Sequence, residues 1–275
     1  MDSIPPRDDA APAPSTTLTL GSALSDAHGL LGRNYGLLLG ATLLLVLLNL
    51  AIVAVAGLID AALVGPDAMV QPVSQLASLL ITTPLGIGAG MLAAMRYRDG
   101  TGTLSTLFIG FSRYGVVVLI ALLYMIGLWG FIFIGAVVVG IAAAAAIAAA
   151  GSVGLVVPIV LGLALYAVLI YFAIRLWFAT MLAVDPLGAK PGSIEAIQLS
   201  WYLTHGKVST LFVTGVVLTL ILIASILLLI LPFVFYGLPL AACVTGVLYV
   251  LVCRPTFDDA GDAEPDAEGL DPLPA

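Results

Sequence analysis

Six long apolar segments, joined by short polar connections, constrain the fold of this chain more than any other feature. A helix needs about 20 apolar residues to cross the hydrocarbon core of a bilayer. Of the 275 residues, 61% are hydrophobic and 9% are charged, whereas soluble domains carry about 25% charged residues. The sequence therefore predicts an all-α polytopic membrane protein with six transmembrane helices, at about residues 35–59, 75–95, 114–139, 153–174, 211–231 and 236–253.

The basic residues predict how these six segments are oriented. All nine Lys and Arg residues fall before the first segment, after the last one, or near the connections that follow the second and fourth segments. The three opposite connections carry only Asp60 and Asp67 as charged residues. Because Lys and Arg concentrate on the cytoplasmic side of bacterial-type membranes, we predict a multi-pass protein of the cell (plasma) membrane with both termini in the cytoplasm.

The two ends of the chain differ in composition from its apolar middle. Residues 1–17 are acidic and rich in proline, and residues 255–275 combine many Asp and Glu residues with further prolines. Segments of this kind bury too little apolar surface to offset the entropy lost on folding. We therefore predict a disordered N-terminal segment (1–17), a transmembrane domain (18–254) and a disordered acidic tail (255–275).

An amphipathic segment precedes each odd-numbered span, which predicts three repeats of one connector helix and one transmembrane hairpin. Amphipathic helices of this kind lie in the headgroup plane of a membrane, so we expect three interfacial helices. The third segment, 193–207, has a less regular apolar stripe than the other two. The apolar residues at helical spacing are Leu20, Leu24, Ala27 and Leu31 in the first segment and Leu104, Leu107, Phe108 and Phe111 in the second.

A loose motif lies in the connection before the fifth span. It consists of Asp185, the pair Glu195–Ala196, Ser200 and the pair Gly206–Lys207, and the segment LSTLFIGFSRY at 104–114 accompanies it. In these residues the chain resembles a prokaryotic family of uncharacterised six-span membrane proteins, which is similar to the membrane domain of some bacterial glycerophosphodiester phosphodiesterases. The resemblance covers about residues 18–254 and implies the six-span architecture. The chain leaves no room for a soluble phosphodiesterase domain, so the resemblance does not imply catalysis.

Three basic residues near the predicted cytoplasmic surface are candidates for contact with lipid headgroups or a protein partner. Arg113 and Lys207 immediately precede the third and fifth spans, and Arg175 ends the fourth span beside Trp177 and Phe178. Basic groups at this depth bind anionic headgroups in many membrane proteins. The alternative interpretation is a belt of aromatic residues with cations whose apolar stems are buried.

The second span carries a candidate hinge. Pro84 removes a backbone donor there, and three glycines follow it closely, at Gly86, Gly88 and Gly90. Small residues let helix backbones approach each other, and neighbouring groups satisfy the carbonyl that the proline frees. A kink with close helix packing is therefore the main prediction, and a hinge beside a binding site is the alternative.

The distribution of ionisable residues separates the candidate functions. Ion-coupled transporters usually place a carboxylate within the membrane, and the six segments carry none at mid-depth. Neither His residue has a partner at catalytic or metal-ligand spacing, so we expect no enzyme activity, cofactor or metal. We predict a non-catalytic membrane module whose partners are membrane lipids, a protein partner or further copies of the chain, and not nucleic acid. The alternative is a permease or flippase-like transporter of a neutral or lipidic solute.

Overall fold

The computed structural model of the protein describes residues 18–65, 71–151, 156–188, 190–228 and 230–262, with the backbone alone at residues 150 and 254–262. Within these ranges the regular structure is entirely helical. Six helices are long and apolar enough to cross a membrane, which confirms the predicted all-α, six-span fold of a multi-pass membrane protein. Spans 1 to 6 are Tyr35–Val64, Pro72–Arg98, Tyr114–Ala149, Val156–Val184, Val208–Leu228 and Ile230–Cys253.

Two helices extend furthest beyond their predicted ends. The helix of span 3 runs through the alanine-rich run as far as Ala150, because alanine has the highest intrinsic helix propensity of all residues. At a rise of about 1.5 Å per residue its length is roughly 55 Å, well beyond the hydrocarbon core. The helix of span 6 continues to Asp262, into the segment that the composition predicts to be disordered. The other parts of the predicted disordered segments, 1–17 and 263–275, lie outside the described residues.

Spans 2 and 6 form the centre of the bundle. In the most apolar window of each span, 61% of the residues of span 6 and 44% of those of span 2 are buried, against 6% for span 3. Met91 of span 2 and Val244 and Val247 of span 6 are fully buried in the shared core. The outer spans therefore present most of their apolar surface to the membrane.

Glycines bring backbones into direct contact around this centre. A Cβ atom on Gly88 would overlap the carbonyl of Leu107, and one on Gly110 would overlap the carbonyl of Pro84. Leu107 and Gly110 belong to the 3-10 helix Leu104–Phe111, which precedes span 3. The predicted close packing at the glycine cluster of span 2 is thus present. Gly88 faces the connector, whereas Gly90 faces Met181 of span 4 and Thr245 of span 6.

Spans 2 and 6 share an irregular turn at matching positions. A π-helical turn occupies Ser78–Thr82 two residues before Pro84, and another occupies Phe233–Gly237 two residues before Pro239. Proline donates no backbone hydrogen bond, and a π turn is one way in which a helix rearranges around the acceptor that is left over. The shared pattern supports the predicted internal repeat.

The three connector helices close the repeats into a ring. The first, Leu20–Arg33, packs mainly on span 6, and the second, Leu104–Phe111, packs on span 2. The third, Ser193–Leu203, packs on Ala179–Val184, the short helix that ends span 4. Each connector therefore contacts the second span of the preceding repeat, and the first repeat follows the third in this ring.

The apolar faces of the first two connectors differ from the predicted arrangement. In the first connector Ala27 and Leu31 are buried by the protein itself, together with Ala23 and Leu30. The second is a 3-10 helix, whose three-residue period places Leu107 and Gly110 on one face against span 2. Leu104, Phe108 and Phe111 remain 45%, 49% and 37% exposed. A position in the headgroup plane stays a prediction for all three connectors.

The contact at Gly88 predicts a strong dependence of stability on one methyl group. Gly88→Ala should separate the second connector from span 2 and lower the free energy of unfolding by about 1–3 kcal/mol, the usual cost of overpacking a core. Gly86→Ala is the matched control, because a Cβ atom on Gly86 meets no atom within 4 Å and alanine favours helix. Thermal unfolding of the detergent-purified variants measures both effects. Equal melting temperatures would contradict the prediction.

Candidate functional site

A large cavity lies between spans 2, 3 and 4. Its volume is about 680 Å³, and Ile197 of the third connector contributes to its wall. This volume lies within the range of about 300–1,000 Å³ that is typical of small-molecule sites. The cavity is therefore the strongest candidate for a binding site within the described residues.

The wall of this cavity is mostly apolar, with a few hydrogen-bonding side chains and no charged residue among the described lining residues. Span 2 supplies three of the polar groups, Gln75, Ser78 and Thr83, and two of these flank or belong to the π turn Ser78–Thr82. Tyr124 of span 3 and Thr180 of span 4 supply two more. An apolar wall with a few placed polar groups is the usual composition of a ligand site.

A smaller cavity of about 210 Å³ continues along spans 3 and 4. It shares Leu123, Leu128 and Ala173 with the larger cavity, and Phe131 and Leu169 contribute to its remaining wall. The two cavities therefore adjoin each other along spans 3 and 4. The larger one carries the polar groups of span 2, and the smaller one is lined almost entirely by apolar side chains.

A buried charged cluster lies at the ends of spans 2, 4 and 6. Asp185 is fully buried, and its carboxylate accepts hydrogen bonds from the guanidinium of Arg98 at 3.1 Å and from the hydroxyl of Tyr249 at 2.7 Å. The backbone N–H of Leu187 donates to the same carboxylate at 3.0 Å. Arg98 also pairs with Asp99 at 2.9 Å. A buried carboxylate that accepts hydrogen bonds from a guanidinium, a hydroxyl and a backbone N–H is well satisfied, which indicates a structural role.

The remaining motif residues also make contacts that maintain the fold. Glu195 accepts a hydrogen bond from the N–H of Gly192 at 2.8 Å, so it caps the third connector, and Ala196 is fully buried. The hydroxyl of Ser200 donates to the carbonyl of Arg175 at 2.7 Å. Gly206 has a φ of 75°, a left-handed conformation that favours glycine. The motif therefore describes how this connector is built and attached.

Each of the three basic candidates binds backbone carbonyls of the protein. Arg113 donates to the carbonyls of Ala183 at 3.0 Å and Pro191 at 2.8 Å, whereas the Nζ atom of Lys207 donates to the carbonyl of Val252 at 3.0 Å. Burial lowers the pKa of Lys207. The structure thus places these two cations against separate segments.

Arg175 is the most buried of the three candidates, with 5% of its surface exposed. Its guanidinium donates to the carbonyl of Trp201 at 2.8 Å and to the hydroxyl of Tyr171 at 2.8 Å, and it lies 4.8 Å from the centre of the Trp201 ring. A cation above an aromatic ring is stabilised by the quadrupole of the ring. Arg175 therefore joins span 4 to the third connector.

The candidate hinge in span 2 lies beside the large cavity. Pro84, Gly88 and Gly90 are buried and Gly86 is exposed, while Ser78 and Thr83 of the preceding turn and its flank line the cavity. Sequence reasoning found this irregular segment but not the cavity beside it. It also missed Arg98 and Tyr249 as partners of Asp185, since Arg98 and Asp185 are 87 positions apart.

Comparison with other proteins adds no assignment. No protein-family model, curated protein or solved structure matches this chain. The cavity and the buried cluster are therefore the features of the structure that bear on function.

The charged cluster predicts that removing either of the two carboxylates that contact Arg98 changes the free energy of unfolding by very different amounts. Asp185→Ala leaves the Arg98 guanidinium without its buried partner, so the free energy of unfolding should fall by about 3–5 kcal/mol. Asp99→Ala removes the more exposed partner of the same arginine and should cost less than about 1 kcal/mol. Chemical unfolding of both purified variants measures the difference. If Asp185→Ala lowers the free energy of unfolding by no more than the small amount expected for Asp99→Ala, the Asp185 contact does not support the fold.

Proposed function

We propose that this protein is a non-catalytic membrane module that binds a lipidic molecule in the cavity between spans 2, 3 and 4. The observation that carries the proposal is the cavity itself, about 680 Å³ between helices long and apolar enough to cross a membrane. Its uncharged, mostly apolar wall suits a hydrocarbon chain, and its polar groups suit the head of an amphiphile. The surrounding bilayer supplies such molecules at high local concentration.

The charged groups of the protein support a binding role rather than a reaction. Arg113, Arg175 and Lys207 are engaged with backbone carbonyls, and Asp185 is engaged with Arg98, Tyr249 and a backbone N–H. A general acid or base must reach the substrate, and these groups are held by other parts of the fold. The proposal therefore places the ligand in the cavity and assigns these residues to the frame around it.

A second candidate function is the passage of a lipidic solute through the same cavity. Ser78 and Leu79 of the π turn Ser78–Thr82 line the cavity, and irregular turns of this kind often coincide with functional sites. A change of helix geometry there alters the width of the cavity. Saturable lipid flux in proteoliposomes would favour this candidate over a static binding module.

We also propose that the protein lies in the plasma membrane of a prokaryote with both termini in the cytoplasm. The distribution of Lys and Arg supports this orientation, and the loose resemblance of the connector motif to a prokaryotic six-span family supports the source. In this orientation the ends of the spans that carry Arg113, Arg175 and Lys207 face the cytoplasmic side, where anionic lipids or a protein partner are available.

Filling the cavity tests the binding proposal. Ala173 lines both cavities, so Ala173→Phe should lower the amount of co-purified lipid several-fold, as measured by mass spectrometry of protein in native-membrane nanodiscs. Val160→Phe on the same span is the matched control, because Val160 is 59% exposed and outside the described lining of the cavity. Equal lipid retention by the two variants would contradict the proposal.

The proposed orientation is tested by cysteine labelling in intact cells. Gln71→Cys, before span 2, should react with an impermeant thiol reagent, and Lys190→Cys, before the third connector, should react only after lysis. Both positions are exposed, whereas the native Cys243 and Cys253 are fully buried and give little background. Labelling of Lys190→Cys in intact cells would contradict the proposed orientation and indicate the opposite one.

A further inference from the structure

We infer that the ligand of the cavity is an uncharged amphiphile, with its polar head at Gln75 and Ser78 and its hydrocarbon chain along spans 3 and 4. This inference rests on the proposed binding function and adds the ligand class and its direction. It follows from three features of the two adjoining cavities: the position of the polar groups, the charge of the wall and the apolar extension.

Three of the polar side chains of the cavity wall lie close together on span 2. Gln75 lies one turn into span 2, Ser78 begins the π turn, and Thr83 follows that turn. The Thr83 hydroxyl donates to the carbonyl of Ser78 at 3.2 Å. The side chains of Gln75 and Ser78 are both exposed, so their polar groups are accessible to a ligand at the wall of the cavity.

A carboxamide offers two donors and one acceptor oxygen, and a hydroxyl both donates and accepts. The pair therefore matches a ligand head that carries hydroxyl or ester oxygens. A glycerol monoester or a long-chain alcohol has such a head.

The absence of charge among the described lining residues selects against ionised heads. A carboxylate or phosphate placed there without a counter-charge would bear the desolvation cost of an unpaired ion. The charged residue near this end of span 2 is Asp60, and it is 2% exposed. Its two carboxylate oxygens accept the N–H groups of Val73 and Ser74 at 2.9 and 2.8 Å. Asp60 thus holds the start of span 2, and its negative charge disfavours an anionic head.

The smaller cavity gives the ligand its direction. It continues from the polar part between Leu123, Leu128, Phe131, Leu169 and Phe172. Burial of CH₂ groups is favourable for a hydrocarbon chain that leaves water, but a chain that comes from the bilayer gains mainly by packing. The head contacts therefore determine selectivity, and the apolar extension determines which way the chain points.

The test is equilibrium binding of tritiated 1-monooleoylglycerol to the full chain in phosphatidylcholine nanodiscs, with unlabelled competitors. Unlabelled monooleoylglycerol and oleyl alcohol should displace the probe at least tenfold better than oleate or lysophosphatidylglycerol. Gln75→Leu and Ser78→Ala should each weaken probe binding about three- to tenfold, the loss expected for one hydrogen bond. Thr219→Val is the matched control, because its hydroxyl bonds within span 5, outside the described lining of the cavity.

The outcomes separate this inference from the function on which it rests. Binding of oleate or lysophosphatidylglycerol as tight as that of monooleoylglycerol overturns the inference and keeps lipid binding. Unchanged affinity in both Gln75→Leu and Ser78→Ala overturns the placement of the head. If no probe binds, and Ala173→Phe retains as much native lipid as Val160→Phe, the proposed function itself is overturned.

Discussion

The hydrogen bonds that converge on Asp185 connect parts of the chain that are distant in sequence. This carboxylate lies just after span 4, yet it contacts Arg98 at the end of span 2 and Tyr249 within span 6. Taking a carboxylate and a guanidinium out of water costs several kcal/mol, and close geometry with additional donors offsets that cost. Because the pair is stable only when all three spans are in place, it specifies their register at this end of the bundle.

The close packing of spans 2 and 6 contrasts with the looser packing of spans 3 and 4, which line the cavity. Gly88, Gly110 and Gly246 let backbones and a connector meet without side chains between them, so this part of the fold has little freedom to rearrange. Spans 3 and 4 contact the centre less and present most of their surface outward. The cavity lies where these outer spans meet span 2. A fixed frame with a less constrained edge is the arrangement expected for a site that must admit a ligand.

The sequence was sufficient to predict the six spans and the connector helices, because span length and apolar content follow directly from the thickness of a bilayer. It did not identify which spans are central. One signal was present: spans 2 and 6 have the lowest mean hydropathy, 1.7 and 2.0, against 2.5 to 2.8 for the others. A buried span contacts protein rather than lipid, so it tolerates more glycine and polar residues. The Arg98–Asp185 pair and the cavity depend on tertiary packing, which hydropathy does not describe.

The connector motif identifies an architecture rather than an activity. Asp185, Ser200 and Lys207 each bond to another segment, and Glu195 caps its own helix, so these residues support the frame whatever the protein binds. The described cavity wall contains none of them. Because function resides in sites carried by a fold and not in the fold itself, two chains with this motif need not share a ligand. If the cavity binds an amphiphile as proposed, Gln75 is the residue that bears most directly on ligand choice, because it lines the cavity and does not belong to the motif.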